Sequence, residues 1–129
     1  MTAVVLDASA VLALLHREPG WEMVAQRVAG AIIGTVNLVE VMDKLTQQDV
    51  SAQVAKDALN FLKLDIRDFT QPLAEMASAL LTDTKPFGLS FGDRACLALA
   101  KMENATALTG DRAWQQVKEV IGVEVALIR

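Results

Sequence analysis

The stretch Ala3-Val4-Val5-Leu6-Asp7-Ala8-Ser9-Ala10-Val11-Leu12-Ala13-Leu14-Leu15-His16 joins a short apolar run to a longer one of helical spacing, with a single acid at the junction. Ala3 to Leu6 reads as a buried strand. Ala8 to His16, with Val11, Leu12, Leu14 and Leu15, reads as a helix that Pro19-Gly20 stops. The same unit recurs downstream. Trp21 to Ala29 predicts a helix, Ala31-Ile32-Ile33 a strand, and Thr35 to Gln47 a helix with Leu38, Val41, Met42 and Leu45 at helical spacing. Ser51 suits the cap of a helix reaching about Lys63, Asp65 to Phe69 is a weak strand, and Pro72 fits the first turn of a helix ending before Lys85-Pro86. Phe91 to about Glu103 is helical by pattern, Ala105 to Leu108 extended, Arg112 to Ile121 helical and Val123 to Ile128 extended. This alternation predicts an α/β sandwich whose mostly parallel sheet is covered by helices on both faces. Ligands in such folds gather beyond the C-terminal ends of strands, where Asp7 falls directly and Asp111 falls after Thr109-Gly110.

The 129 residues, 53% of them hydrophobic, suit one compact domain spanning 1–129 that buries its core without disulfide staples. The lone Cys96 lies in the apolar run Ala95 to Leu99 and has no internal partner, which predicts a small buried hydrophobe and a reducing compartment. No basic leader precedes the first apolar run, and no stretch reaches the roughly 18 apolar residues of a membrane span. A cytoplasmic protein is expected. The net charge of −4, from 12 basic against 16 acidic residues, argues against a broad basic surface for nucleic acid. Setting four acids around bound cations would leave the remainder balanced at 12 against 12.

Four carboxylates have contexts worth weighing. Asp7, Asp93 and Asp111 each stand near the start of an expected helix, so helix capping accounts for any one of them alone. Ser90-Phe91-Gly92-Asp93 is a near relative of a capping box. Glu40 lies inside a helix, with Lys44 four residues on as a surface partner. Yet Asp93 opens the very apolar segment Ala95 to Ala100, and a carboxylate entering such a core needs a partner or a metal. Acids on four separate elements can converge on one cleft, where a hard cation would relieve their repulsion.

Four segments together resemble a known family. Val4-Val5-Leu6-Asp7-Ala8-Ser9-Ala10, Val36-Asn37-Leu38-Val39-Glu40-Val41, Leu89-Ser90-Phe91-Gly92-Asp93-Arg94-Ala95-Cys96-Leu97-Ala98-Leu99-Ala100 and Thr109-Gly110-Asp111-Arg112-Ala113-Trp114 are similar, in order and spacing, to the motifs of PIN domains. The likeness is greatest to the VapC toxins of bacterial toxin–antitoxin pairs, and the third segment is the most specific. The resemblance implies a PIN-like three-layer α/β/α sandwich and an endoribonuclease. Its Mg²⁺ or Mn²⁺ would be held by Asp7, Glu40, Asp93 and Asp111, with Ser9 and Thr109 in support. It further implies an RNA substrate such as transfer RNA, a homodimer, and inhibition by a cognate antitoxin.

The remaining residues add little chemistry. His16 is the only histidine, which excludes a histidine-based zinc site, and with Arg17 it suits the end of the first helix. A Cys96–His16 pair would need a buried thiol to become reactive. Arg94 and Arg112 adjoin proposed ligands and are candidates for phosphate, although a solvated or ion-paired arginine is the more economical reading. Trp21, Met23, Phe61 and Trp114 suit core or partner surface better than base stacking. Two alternatives compete with the nuclease. A haloacid-dehalogenase-type phosphatase also places Asp after the first strand, but expects a second Asp where Ser9 stands. A catalytically degenerate PIN domain kept as a binding module would be marked by a lost acid, and all four are present.

Overall fold

The computed structural model describes residues 3–129. Five short strands form one sheet: β1 (Val4–Leu6), β2 (Ile32–Gly34), β3 (Asp65–Arg67), β4 (Thr106–Thr109) and β5 (Val125–Leu127). Their order is β3-β2-β1-β4-β5, and every neighbouring pair is parallel, so the sheet is parallel throughout rather than mostly. The helices are α1 (Ala8–His16), α2 (Trp21–Arg27), α3 (Thr35–Gln47), α4 (Ala52–Phe61), α5 (Gln71–Ala79), α6 (Leu81–Thr84), α7 (Phe91–Met102) and α8 (Trp114–Ile121).

Strand periodicity sorts the interior into two cores. Val5, Ile32, Ala107 and Val125 face one side, where Leu73 and Ala77 of α5, Cys96 to Ala100 of α7, and Trp114, Val117 and Ile121 of α8 pack on them. Val4, Leu6, Ile33 and Leu108 face the other, against Val11 of α1, Val24 of α2, Val41 and Leu45 of α3, and Leu59 of α4. Three layers follow from that alternation. None of the helices among the described residues is long and apolar enough to cross a membrane.

The expected helix from Pro72 to Thr84 is broken. Leu80 is buried and ends α5, and the fully buried Thr84 turns its hydroxyl back onto the Leu80 carbonyl at 2.8 Å. Such back-bonding bends a helix, and the chain leaves through a 3-10 turn, Lys85–Phe87. α8 begins two residues later than its apolar pattern suggested because the Asp111 carboxylate takes the Ala113 N–H at 3.0 Å and holds 111–113 as a turn.

The chain leaves β1 toward β2 on one side and later returns to place β4 on the other. The crevice beyond the ends of β1 and β4 is therefore the topological switch point of the sheet. Asp7 and Asp111 follow those two strands.

Candidate metal centre

Asp7 occupies the position preceding α1 with extended backbone, yet its side chain makes no capping bond, so capping does not account for it. Its Oδ2 instead accepts hydrogen bonds from Ser9 Oγ at 2.7 Å and Thr109 Oγ1 at 2.9 Å. Each hydroxyl in turn accepts a backbone N–H: Gly110 donates to Ser9 Oγ at 2.9 Å, and Asp111 to Thr109 Oγ1 at 3.1 Å. Backbone donors thus occupy the hydroxyl lone pairs and leave both O–H protons for Asp7. The loop after β4 is stitched to the loop after β1 by this network. Burial still dominates: Asp7 is 6% exposed, and desolvation pushes its pKa up to about 6 against the two hydroxyl bonds, with the charges of Asp93 and Glu40 adding to the rise.

Glu40 projects from α3, half-buried, and burial raises its pKa, with Asp93 and Asp43 adding repulsion. Asn37, one turn earlier, donates its Nδ2 to Glu40 Oε1 at 2.8 Å and to the Gly92 carbonyl at 3.1 Å. The second oxygen, Oε2, lies so close to Gly92 that a Cβ there would stand 2.1 Å from it. Only glycine leaves that space open.

Asp93 does form the capping box its spacing suggested. Ser90 N–H donates to Asp93 Oδ2 at 2.9 Å, and Asp93 N–H donates to Ser90 Oγ at 3.2 Å. Capping does not exhaust its role, because the carboxylate is half-buried and its pKa is raised by desolvation first and by Asp111 in addition. Repulsion links the four acids: Asp7 with Glu40 and Asp93, Glu40 with Asp93, and Asp93 with Asp111. The first three are the inner group. Asp111 is exposed and joins them from the rim.

The donor set is carboxylate and hydroxyl oxygen, which suits a hard divalent cation in kind and in charge. Among the described residues no three acidic, histidine or cysteine side chains close by themselves into a group that would hold a metal ion. The ion pairs among the described residues are made by Arg67, with Asp65 and Glu103, and neither belongs to this crevice.

Other residues fall outside the chemistry. Arg94 turns from the site, donating to the Ala77 carbonyl at 2.9 Å and standing over the Phe91 ring. Cys96 is fully buried, and burial lifts its thiol well above the usual range, with Asp7, Asp93 and Glu40 adding to the rise, so it stays protonated. Trp114 is fully buried core, whereas Phe61 is 84% exposed. Arg17 stacks on Trp21 beyond the end of α1. Arg112 is exposed. Two features lay hidden in the sequence: Asn37, whose only signal was its one-turn spacing from Glu40, and Arg129, whose guanidinium lies against Gly110 so closely that a Cβ there would stand 2.9 Å from Nη2.

The sequence pattern of the PIN domain matches residues 4–120, so the chain belongs to the PIN domain family. Solved structures share the fold. A chain in a toxin-antitoxin complex from Klebsiella pneumoniae superimposes with a TM-score of 0.75 at 16% identity, covering 98% of both chains. One in VapBC2 from Rickettsia felis, bound to a DNA fragment from its promoter, gives 0.70 at 18% identity over 97% of this chain and 98% of that one. PAE2754 from Pyrobaculum aerophilum gives 0.63 at 20% identity, over 96% and 83% respectively. No curated protein matches the sequence significantly. Membership of the PIN family leaves the phosphatase reading without support.

Proposed function

We propose that the chain is a VapC-type endoribonuclease whose Asp7, Glu40, Asp93 and Asp111 hold Mg²⁺ or Mn²⁺, with Ser9 and Thr109 as supporting hydroxyls. The observation that carries this reading is the convergence of Asp7, Glu40 and Asp93 from three separate elements, each with its carboxyl pKa raised by burial. Such a group holds more negative charge than its surroundings solvate, and a divalent cation is the species that relieves it. When bound, the ion supplies Lewis acidity toward a phosphoryl oxygen and a water acidified toward hydroxide.

The chain's own residues set the stage. Ser9 and Thr109 anchor one oxygen of Asp7, Asn37 anchors one oxygen of Glu40, and the Ser90 N–H anchors one oxygen of Asp93. Asp111, the exposed member of the four, is the one open to solvent. No protein nucleophile is required, consistent with the buried, protonated Cys96.

Structured RNA such as transfer RNA is the proposed substrate, and a cognate antitoxin and a second copy of the chain are the proposed partners, in the cytoplasm. Support comes from the motif resemblance and from the company of similar chains, which sit in complexes described as VapBC or toxin-antitoxin. A catalytically silent binding module gains from one observation, that the carboxylates do not close into a ready cage.

Cleavage of transfer RNA by the purified protein tests the proposal. Cleavage is expected with Mn²⁺, none in EDTA, and a loss of at least about a hundredfold in Asp93→Asn with its circular dichroism unchanged, since ligands cost more than their outer partners do. Equal cleavage by the variant, or cleavage in EDTA, would refute the mechanism. Absence of cleavage by the metal-loaded wild type would select the silent module.

A further inference from the structure

Asn37 is 1% exposed, and its amide is oriented by chemistry alone: the two groups it faces, Glu40 Oε1 and the Gly92 carbonyl, are both acceptors, so only Nδ2 can meet them. The consequence is a fault elsewhere. Asn37 Oδ1 is buried with no hydrogen-bond partner among the described residues. A buried acceptor left unmet destabilises a fold, and a site selected for stability alone would not keep one. The two donors of the same amide must justify it.

Both donors end at one place. One fixes Glu40 Oε1, and the other ties α3 to the first turn of α7 through the carbonyl of Gly92, the residue preceding Asp93. Gly92 completes the seat at the other oxygen. A Cβ at that position would lie 2.1 Å from Glu40 Oε2, 2.6 Å from its Cδ and 2.8 Å from Oε1, so any side chain would evict the carboxylate.

We propose that Asn37 and Gly92 form a two-sided seat that positions the Glu40 carboxylate beside Asp93 for metal binding. Asn37 grips one oxygen by a directed hydrogen bond, and Gly92 admits the other by lacking a side chain. Neither residue touches the ion or the substrate, so both are positioning residues. The inference rests on the metal-site reading above and names what holds one ligand of that site.

The test is calorimetric titration of Mn²⁺ into the wild type, Asn37→Leu, Gly92→Ala, Glu40→Gln and the double variant Asn37→Leu/Glu40→Gln. Asn37→Leu removes the donors at similar volume, and Gly92→Ala fills the seat while improving helix propensity, so folding should hold in at least one of them. Each should weaken Mn²⁺ binding by about 10–100-fold, the usual cost of losing an outer partner of a ligand. In the Glu40→Gln background Asn37→Leu should cost clearly less than it does in the wild type, a non-additivity that general destabilisation would not produce. Wild-type affinity in both single variants, or full additivity in the double, overturns the seat while leaving the metal site standing. A wild type that binds no Mn²⁺ overturns both.

Discussion

Asp7 carries a proton more readily in the folded chain than in the unfolded one, because its pKa rises from 3.8 to about 6 on burial. The sign of the linkage follows. Below pH 3.8 both states are protonated and the group costs nothing; between 3.8 and about 6 the unfolded chain ionises while the folded chain keeps its proton, so stability falls with rising pH, and above about 6 the full penalty of an ionised buried acid remains. In metal-free protein that penalty grows to about 3 kcal/mol, taking 1.36 kcal/mol per pKa unit. Asp7→Asn removes the charge and keeps an acceptor for Ser9 and Thr109. The variant should therefore match the wild type in acid and exceed it in stability above pH 6 by up to about 3 kcal/mol, read from urea unfolding at a series of pH values. A pH-independent difference would mean that Asp7 is not desolvated as the structure has it. Glu40 and Asp93 shift in the same direction, and all three would lose the penalty on binding a cation.

At the scale of the element, α7 unites structure and site. Its N-terminus is held by a reciprocal box in which Ser90 and Asp93 each satisfy the other's backbone N–H. Ser90→Ala removes half of it and should lower unfolding free energy by about 1 kcal/mol, measured by urea denaturation. No change would contradict the box. The sequence was legible here because the signal was local: Ser90 with an acid three residues on, ahead of an apolar run, announces a helix start, and α7 begins at Phe91 as expected. α3 was equally clear, running Thr35–Gln47 as its spacing required. The break after Ala79 was not legible, because it depends on Leu80 and Thr84 finding the core, a matter of three-dimensional packing that a helical pattern does not record. Nor could a pattern tell that Asp93 both caps and faces other acids, since the two roles use the same residue and differ only in its neighbours.

For the whole molecule, the switch point explains why distant residues meet. β1 and β4 are separated by about a hundred residues yet pair directly, Leu6 against Leu108, so the hydroxyl of Thr109 reaches Asp7. Alternation of strand and helix foretold a layered sheet, and the placement of Asp7 and Asp111 past strand ends foretold the crevice. The strand order, and with it the partnership of Asp7 with Thr109, lies in pairing that no local signal encodes. Asn37 was invisible for a similar reason, because the Gly92 carbonyl that gives its amide a second acceptor comes from a helix 55 residues away. On the proposed reading these elements assemble a carboxylate site for a divalent ion, despite a net charge of −4 on the chain. Calorimetric titration of Mn²⁺ into the wild type and into Asp7→Asn tests it most directly. Saturable binding by the wild type that is abolished in a folded Asp7→Asn is the predicted result; no binding by the wild type, or equal binding by both, would contradict it.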